Sequence, residues 1–468
     1  MIEKVLFWNR LDKGNKDELN KRNFAHITGR AGLQSRENSG SLPKEFGGKQ
    51  FVEGFVVVRD MNNDNVPLFE RRFGRSGNLR TAFILFYDSE NILLEGVNII
   101  DSPFWVNHFY MSKNITVRNM TMTSLNKNND GIDIESSQDV YIHNVDFATG
   151  DDCISIKSGR DLEGLQKMIP SKNIVIKNVR FLADDTIALG SEASGGVRNV
   201  FIENSEGTNL RKGFYFKANK NRGSHFEHIR IRNLTYGDLA DVPENRRKLT
   251  MIEVTTNYDS TGVKYNRDPE FKDIRLENFT GGNSIYPVTL EGTDKIPLKD
   301  FVFDNVHLSA GENPNAFRFV DFDTMYFRNV TVDNSPLEGF IDSGKKSTLI
   351  PQLNNTPPDV YAGEEEVLSL SHGNSITFSG DVLDAENDPM TFQWEAVPAD
   401  AEAVSMGEDS DGNNVYYPFG DESSVRFSNP RGLAAEVTFE TPGTYRLRLN
   451  VSDGKATGYH TVFTEVRQ

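Results

Sequence analysis

Four aspartates stand out in one short stretch, NNDGIDIESSQDVYIHNVDFATGDDCISIKSG, residues 128–159: Asp130, Asp133, Asp151 and Asp152. The segments between them are short, apolar and alternating, as strands are. Asp130 lies 21 residues before Asp151 and 22 before Asp152. If that many residues make one turn of a coil, all three stand on adjacent strands ~4.8 Å apart and project from one face. Like charges so close raise one another's pKa, so one carboxyl keeps its proton near neutral pH beside others that lose theirs. Such a set suits inverting glycoside hydrolysis, in which an acid protonates the leaving oxygen and a base ~6.5–9.5 Å away activates a water. A polar corner of a coil also carries acids by default, so spacing alone leaves both readings open.

The elements that must position these acids recur along the chain. ENILLEGV, KNITVRNM, QDVYIHNV, KNIVIKNV, RNVFIENS, EHIRIRNL, KDIRLENF, KDFVFDNV and TMYFRNV are variants of one phrase, each an alternating strand ending in a turn-favouring residue. Their first apolar residues (Ile92, Ile115, Val140, Ile174, Val200, Ile229, Ile274, Phe301, Met325) are separated by 23, 25, 34, 26, 29, 45, 27 and 24 residues. A unit this short buries its apolar face only by stacking on its neighbours. Helical periodicity is missing from the units, which predicts a parallel β-solenoid rather than leucine-rich repeats. The two long steps place polar inserts near 160–171 and 238–271, where they would wall a groove. The segment 1–50 reads as a divergent N-terminal cap or a truncated start, with the solenoid over 51–345.

Composition changes after about residue 345. The polar stretch 346–358 reads as a linker, and 359–468 as alternating strands of a small β-sandwich with Trp394 and Tyr445 in its core. Asp384, Glu386 and Asp388 alternate on one loop and Asp453 sits on another. They read as ordinary acidic turns, with a weak calcium site as the alternative. The net charge of −17 makes nucleic acid and anionic membrane poor partners. No apolar run approaches the ~20 residues of a membrane helix, and no signal peptide is visible at the start. Cys153 is the single cysteine, so no internal disulfide forms, and strand alternation points it to the core.

The motifs narrow the choice. NNDGID and GDDCISIKSG resemble the signature of glycoside hydrolase family 28, the polygalacturonase-like enzymes, and the likeness continues through SPFW…H, LGSEASGGVRNV, GFYFKAN, PVTLEG and NVHL. It covers roughly residues 50–340 in order and points to the bacterial branch. The resemblance implies a right-handed parallel β-helix and inverting hydrolysis of a pectin-like polysaccharide, of the galacturonan or rhamnogalacturonan class, by a secreted or periplasmic enzyme with no cofactor or metal. It implies Asp151 as general acid, and Asp130 and Asp152 as the pair that holds and deprotonates the water. Lys217 matches a lysine that meets a substrate carboxylate. His108 matches a histidine of the bacterial branch, and Lys157 a lysine of the acid motif. The sandwich resembles a polycystic-kidney-disease (PKD) module, which implies contact with a glycan or cell surface.

Two positions depart from the family. Asp185 stands where the family has a histidine that tunes the general acid, and Tyr215 where it has an arginine. A tyrosine lacks the bidentate grip of an arginine on a carboxylate. Arg211 and Lys212 lie nearby as candidate replacements, so Asp185, Tyr215, Arg211, His108 and Lys217 form the expected substrate-binding set. Two other classes compete: a β-helix polysaccharide lyase using a cation and a basic residue, and a non-catalytic glycan-binding relative.

Overall fold

Each repeated phrase bends in its middle. In Lys113–Ser124 the buried positions are Ile115, Val117, Met120, Met122 and Ser124, so the alternation slips by one residue between Val117 and Met120. Asn119 sits at that slip with φ 54°, and Asn144, Asn178, Asn204, Asn233, Asn278, Asn305 and Asn329 hold the same left-handed conformation at the equivalent places. Asparagine tolerates this conformation better than any residue but glycine. The single left-handed step turns the chain and lets apolar residues on both sides of it face inward. The asparagine side chains then stack from rung to rung: Asn233 donates to Asn204 at 3.1 Å, Asn278 to Asn233 at 3.0 Å and Asn305 to Asn278 at 2.7 Å.

The computed structural model describes Pro67 and residues 82–102, 104–220, 222–238, 250–258, 267–284, 286–310, 317–337, 341–343, 348–351, 355–398, 405–408, 414–416 and 419–468. The expected cap over 1–50 lies outside them. Among the described residues the phrases form a 12-stranded sheet, and shorter strands between them form a 10-stranded sheet, with the successive rungs parallel and a short antiparallel pairing of Thr331–Val332 with Ser335–Pro336 at the end. The result is a right-handed parallel β-helix. The register follows the phrases: Ile92 pairs with Ile115, Ile115 with Val140, Val140 with Ile174, Ile174 with Val200, Val200 with Ile229, Ile229 with Ile274, and Ile274 with Phe301. The second sheet stacks Phe109, Ile134, Ile156, Leu189, Phe216, Val254, Leu290 and Phe319 in one inward column, all buried.

The stretch 238–271 is not wholly an insert. Thr250–Thr255 is a strand of the second sheet, pairing Phe214 with Ile252 and Tyr215 with Glu253. Its run MIEV has the alternation of the other rungs, but it lacks the closing asparagine that made the phrases recognisable. The other long step carries a short helix, Asp161–Lys167.

Near Thr348 the chain passes to a second compact unit. It is a sandwich of a four-stranded sheet (Glu366–Ser369, Thr457–Arg467, Gly443–Ser452, Thr391–Ala396) and a three-stranded sheet (Ser375–Ser379, Ala434–Phe439, Val425–Phe427). Trp394 and Tyr445 are buried in its core. Trp394 Nε1 donates to the Gly432 carbonyl at 3.1 Å, and the Tyr445 hydroxyl to that of Thr441 at 2.9 Å. The acidic loops close on themselves. Asp384 Oδ1 accepts from the backbone N–H of Glu386 and Asp388, and Asp453 Oδ1 from those of Lys455 and Ala456. These acids serve as turn caps, with Lys455 Nζ 2.6 Å from Asp388.

The asparagine ladder yields a test. Replacing Asn278 by alanine removes both ladder bonds and forces a Cβ-bearing residue without a polar side chain into the left-handed region, a strain of ~1–2 kcal/mol. Glycine there loses the same bonds but keeps the conformation. Asn278→Ala should therefore lower the unfolding midpoint more than Asn278→Gly does, by thermal or urea melts. Equal losses would show that backbone conformation is not what the asparagine supplies.

Candidate active site

The acids are brought together by rungs, not by a loop. The Val106 N–H donates to the carbonyl of Asp130 at 2.7 Å, Gly131 N–H to Asp152 at 3.0 Å and Cys153 N–H to Asp185 at 2.8 Å. Asp130, Asp152 and Asp185 thus stand on three successive turns. Two glycines make the close approach possible. A Cβ on Gly131 would lie 2.5 Å from the Cys153 carbonyl oxygen, and one on Gly150 2.4 Å from that of Asn126. Cys153 points inward and is fully buried, which raises its thiol pKa and leaves it inert.

The ionisable groups sort into three sets, each of two acids and one base. In the first, Lys157 Nζ lies 3.2 Å from Asp130 Oδ2 and in contact with Asp133 Oδ1, all three side chains buried. Burial and then Asp133 push the Asp130 pKa well above the ordinary range, and burial lifts Asp133 to about 6 against the pull of Lys157. One cation between two buried carboxyls leaves the pair favouring a shared proton. Lys157 also lies over the Trp105 ring, 4.1 Å from its centroid.

In the second set, Lys217 Nζ donates to both oxygens of Asp152, at 2.7 and 2.6 Å. Burial opposes the charge on Lys217, but Asp152, Tyr258, Asp151 and Asp185 together outweigh it and raise the lysine pKa. Asp151 is the only one of the three that is not fully buried. Its Oδ2 accepts from the backbone N–H and the side-chain amide of Asn128 at 3.2 and 3.3 Å. Burial and then the adjacent Asp152 raise its pKa, while Lys217 and Arg211 pull the other way.

In the third set, Arg211 reaches Asp184 Oδ1 at 2.5 Å and Asp185 Oδ2 at 2.7 Å. Asp185 is fully buried, its Oδ1 has no hydrogen-bond partner, and burial, opposed by Arg211, lifts its pKa to about 7. One oxygen each of Asp151, Asp152 and Asp185 lies within 4.8 Å of the others. This is closer than the ~6.5–9.5 Å anticipated between acid and base, because the donors are chain neighbours or one rung apart. Within this trio Lys217 donates to both oxygens of Asp152, while Asp185 Oδ1 has no partner.

The remaining expected residues lie along the outer face of the same sheet. His108, Asp133, Ser155, Ala188, Tyr215 and Glu253 pair in one column across six rungs. His108 Nε2 is 2.8 Å from Glu135 and packs edge-on to Trp105, at the far end of the column from Tyr215. The nearly buried Tyr215 has Lys212 Nζ 3.4 Å from its ring centroid and Tyr258 edge-on at 5.9 Å. Lys212 in turn is held by Glu253 at 2.5 Å. Glu253 and Tyr258 were not anticipated, since both belong to the rung read as an insert. The role of Asp184 in holding Arg211 left no sequence signal beyond its place beside Asp185.

Residues 72–326 match the profile of the glycosyl hydrolases family 28, and 367–466 that of the PKD domain. A probable polygalacturonase of Vitis vinifera is 28% identical over 52% of this chain and 50% of its own length. An exo-poly-alpha-D-galacturonosidase of Dickeya chrysanthemi is 26% identical over 54% of this chain and 42% of its own length. Among solved structures, a hyperthermoactive exopolygalacturonase of Thermotoga maritima superposes with a TM-score of 0.55 at 28% identity, over 62% of this chain and 63% of that one. The match thus takes in about half the length of these curated relatives. With the family profile spanning more than half of its residues, and with the parallel β-helix beneath it, this chain belongs to glycosyl hydrolases family 28.

Proposed function

We propose that the chain hydrolyses glycosidic bonds of a pectin-like galacturonan, with Asp151 as the proton donor and Asp130 and Asp152 acting on the attacking water. The observation that carries this reading is the position of Asp151. Of Asp130, Asp151 and Asp152 it is the one that is partly exposed, and burial together with Asp152 favours its protonated form. A protonated acid at the surface of the groove is placed to give its proton to a glycosidic oxygen. Asp152, behind it, is fixed by two bonds from Lys217, and Asp130 lies one rung earlier, fixed by Lys157. On this reading Asp152, paired with Lys217, takes the proton of a water that Asp130 helps to hold, and attack by that water opposite the leaving oxygen inverts the anomeric centre. The family membership and the polygalacturonase relatives support the same class of bond and glycan. On this reading the protein works outside the cytoplasm, where such polymers are found, and the PKD module contacts the glycan or a surface.

Asp151→Asn keeps the shape and removes the proton, so kcat should fall by ~10²–10⁴-fold with folding intact. A variant that keeps more than about a tenth of wild-type turnover on a pectic substrate would remove Asp151 from the chemistry. Saturated products with inverted anomeric configuration, read by proton NMR at early times, would mark hydrolysis. An unsaturated, ultraviolet-absorbing product would mark a lyase instead.

The pH profile follows from the same contacts. An acid catalyst works only while protonated, so activity falls as pH rises through the Asp151 pKa, which lies above the ordinary carboxylate value. Asp184 raises that pKa and Arg211 lowers it. Asp184→Asn should therefore move the basic limb of kcat towards lower pH, and Arg211→Gln towards higher pH. Shifts of the same sign in both variants, in a kcat-against-pH series, would contradict this assignment.

A further inference from the structure

Around the acids of the groove, Lys157, Arg211, Lys212 and Lys217 are all already engaged. Lys157 faces Asp130 and Asp133, Arg211 faces Asp184 and Asp185, Lys212 faces Glu253, and Lys217 faces both oxygens of Asp152. Three of these cations serve two acids each, or one acid with a second acid beside it, so each set is neutral only while one of its carboxyls holds a proton. A substrate carboxylate entering here meets four cations that are each held by an acid of the protein, and it meets oxygens that repel it. At Tyr215, where the resemblance to the family implies an arginine, the ring is flanked by Tyr258 and by the ammonium that Glu253 holds. Like charges brought together in a site count strongly against a ligand.

We propose that the sugar at the cleavage point carries no free carboxylate, because the cations facing that point are already held by acids of the protein. This rests on the hydrolase reading above. Within a pectic polymer, two sources share the required chemistry: a galacturonate whose carboxyl is esterified, and a neutral deoxy sugar such as rhamnose alternating with galacturonate. Glu253 is the residue that most directly withholds a cation. It pairs with Lys212 at 2.5 Å while standing in register with Tyr215, on the rung beside it.

The experiment compares kcat/KM of the full chain on three polymers: de-esterified polygalacturonate, the same polymer methyl-esterified, and a rhamnogalacturonan backbone. Glu253→Gln is run alongside. The wild type should favour at least one of the last two over polygalacturonate by about tenfold or more, and which of them leads identifies the source. Glu253→Gln, which releases Lys212, should narrow that preference by raising kcat/KM on polygalacturonate. Equal or better cleavage of polygalacturonate by the wild type would overturn the proposal while leaving the hydrolase reading intact. A preference unchanged in Glu253→Gln would overturn its stated cause. Failure to release reducing ends from all three polymers would overturn the hydrolase reading, and this proposal with it.

Discussion

The constraint on which everything else rests is the backbone ladder between rungs. In a parallel sheet each strand's N–H and C=O groups bond to the next strand, which sets the separation at ~4.8 Å whatever the side chains prefer. A residue type repeated at the rung spacing is therefore stacked on itself. For isoleucine and phenylalanine the consequence is a continuous core, and for asparagine an amide ladder. For aspartate the consequence is crowded charge. Asp130, Asp152 and Asp185 are held on successive turns by main-chain bonds, and they cannot relax apart without opening the sheet.

The charge is relieved locally, and only in part. Lys157, Lys217 and Arg211 each enter as the single base of a two-acid set. A fully matched site would hold every carboxyl ionised and would contain no proton to give. A site without bases would be too costly to bury, since an unpaired buried charge costs several kcal/mol. One base for two acids lies between these limits. It keeps the fold tolerable and leaves at least one carboxyl of each set with a raised pKa. Buried pairs of this kind contribute little to net stability, so their placement reads better as the setting of charge than as reinforcement.

Much of this was legible in the amino-acid order. The recurring apolar–asparagine phrase disclosed the solenoid, and its first apolar residues turned out to be the residues in register, because strand pairing and core burial both demand the same period. Asp130, Asp151 and Asp152 were legible from a spacing of about one turn. Three things were not. The closing asparagine looked like the end of a strand, whereas its left-handed step lies within one. The rung Thr250–Thr255 was hidden because it belongs to the sheet that has no asparagine signature. Lys157, Lys217 and Arg211 could be named from the sequence, but the acids they pair with could not, because a lysine or arginine reaches several ångströms from its Cα. Lys217 meets Asp152, 65 residues away, by the length of its side chain rather than by register.

Depth separates roles among residues of one chemical kind. Asp130, Asp133, Asp152 and Asp185 are all nearly inaccessible, and each is held by a cation or by another carboxyl. Asp151 follows Gly150, whose missing Cβ lets the chain press against the previous rung, and it stands nearer the solvent than its neighbours. It feels the repulsion of Asp152 without the direct ion pair that Asp152 enjoys. The same side chain is thus a fixed acceptor at one position and a proton source at the next. The difference comes from one residue of sequence and the position of a single lysine ammonium.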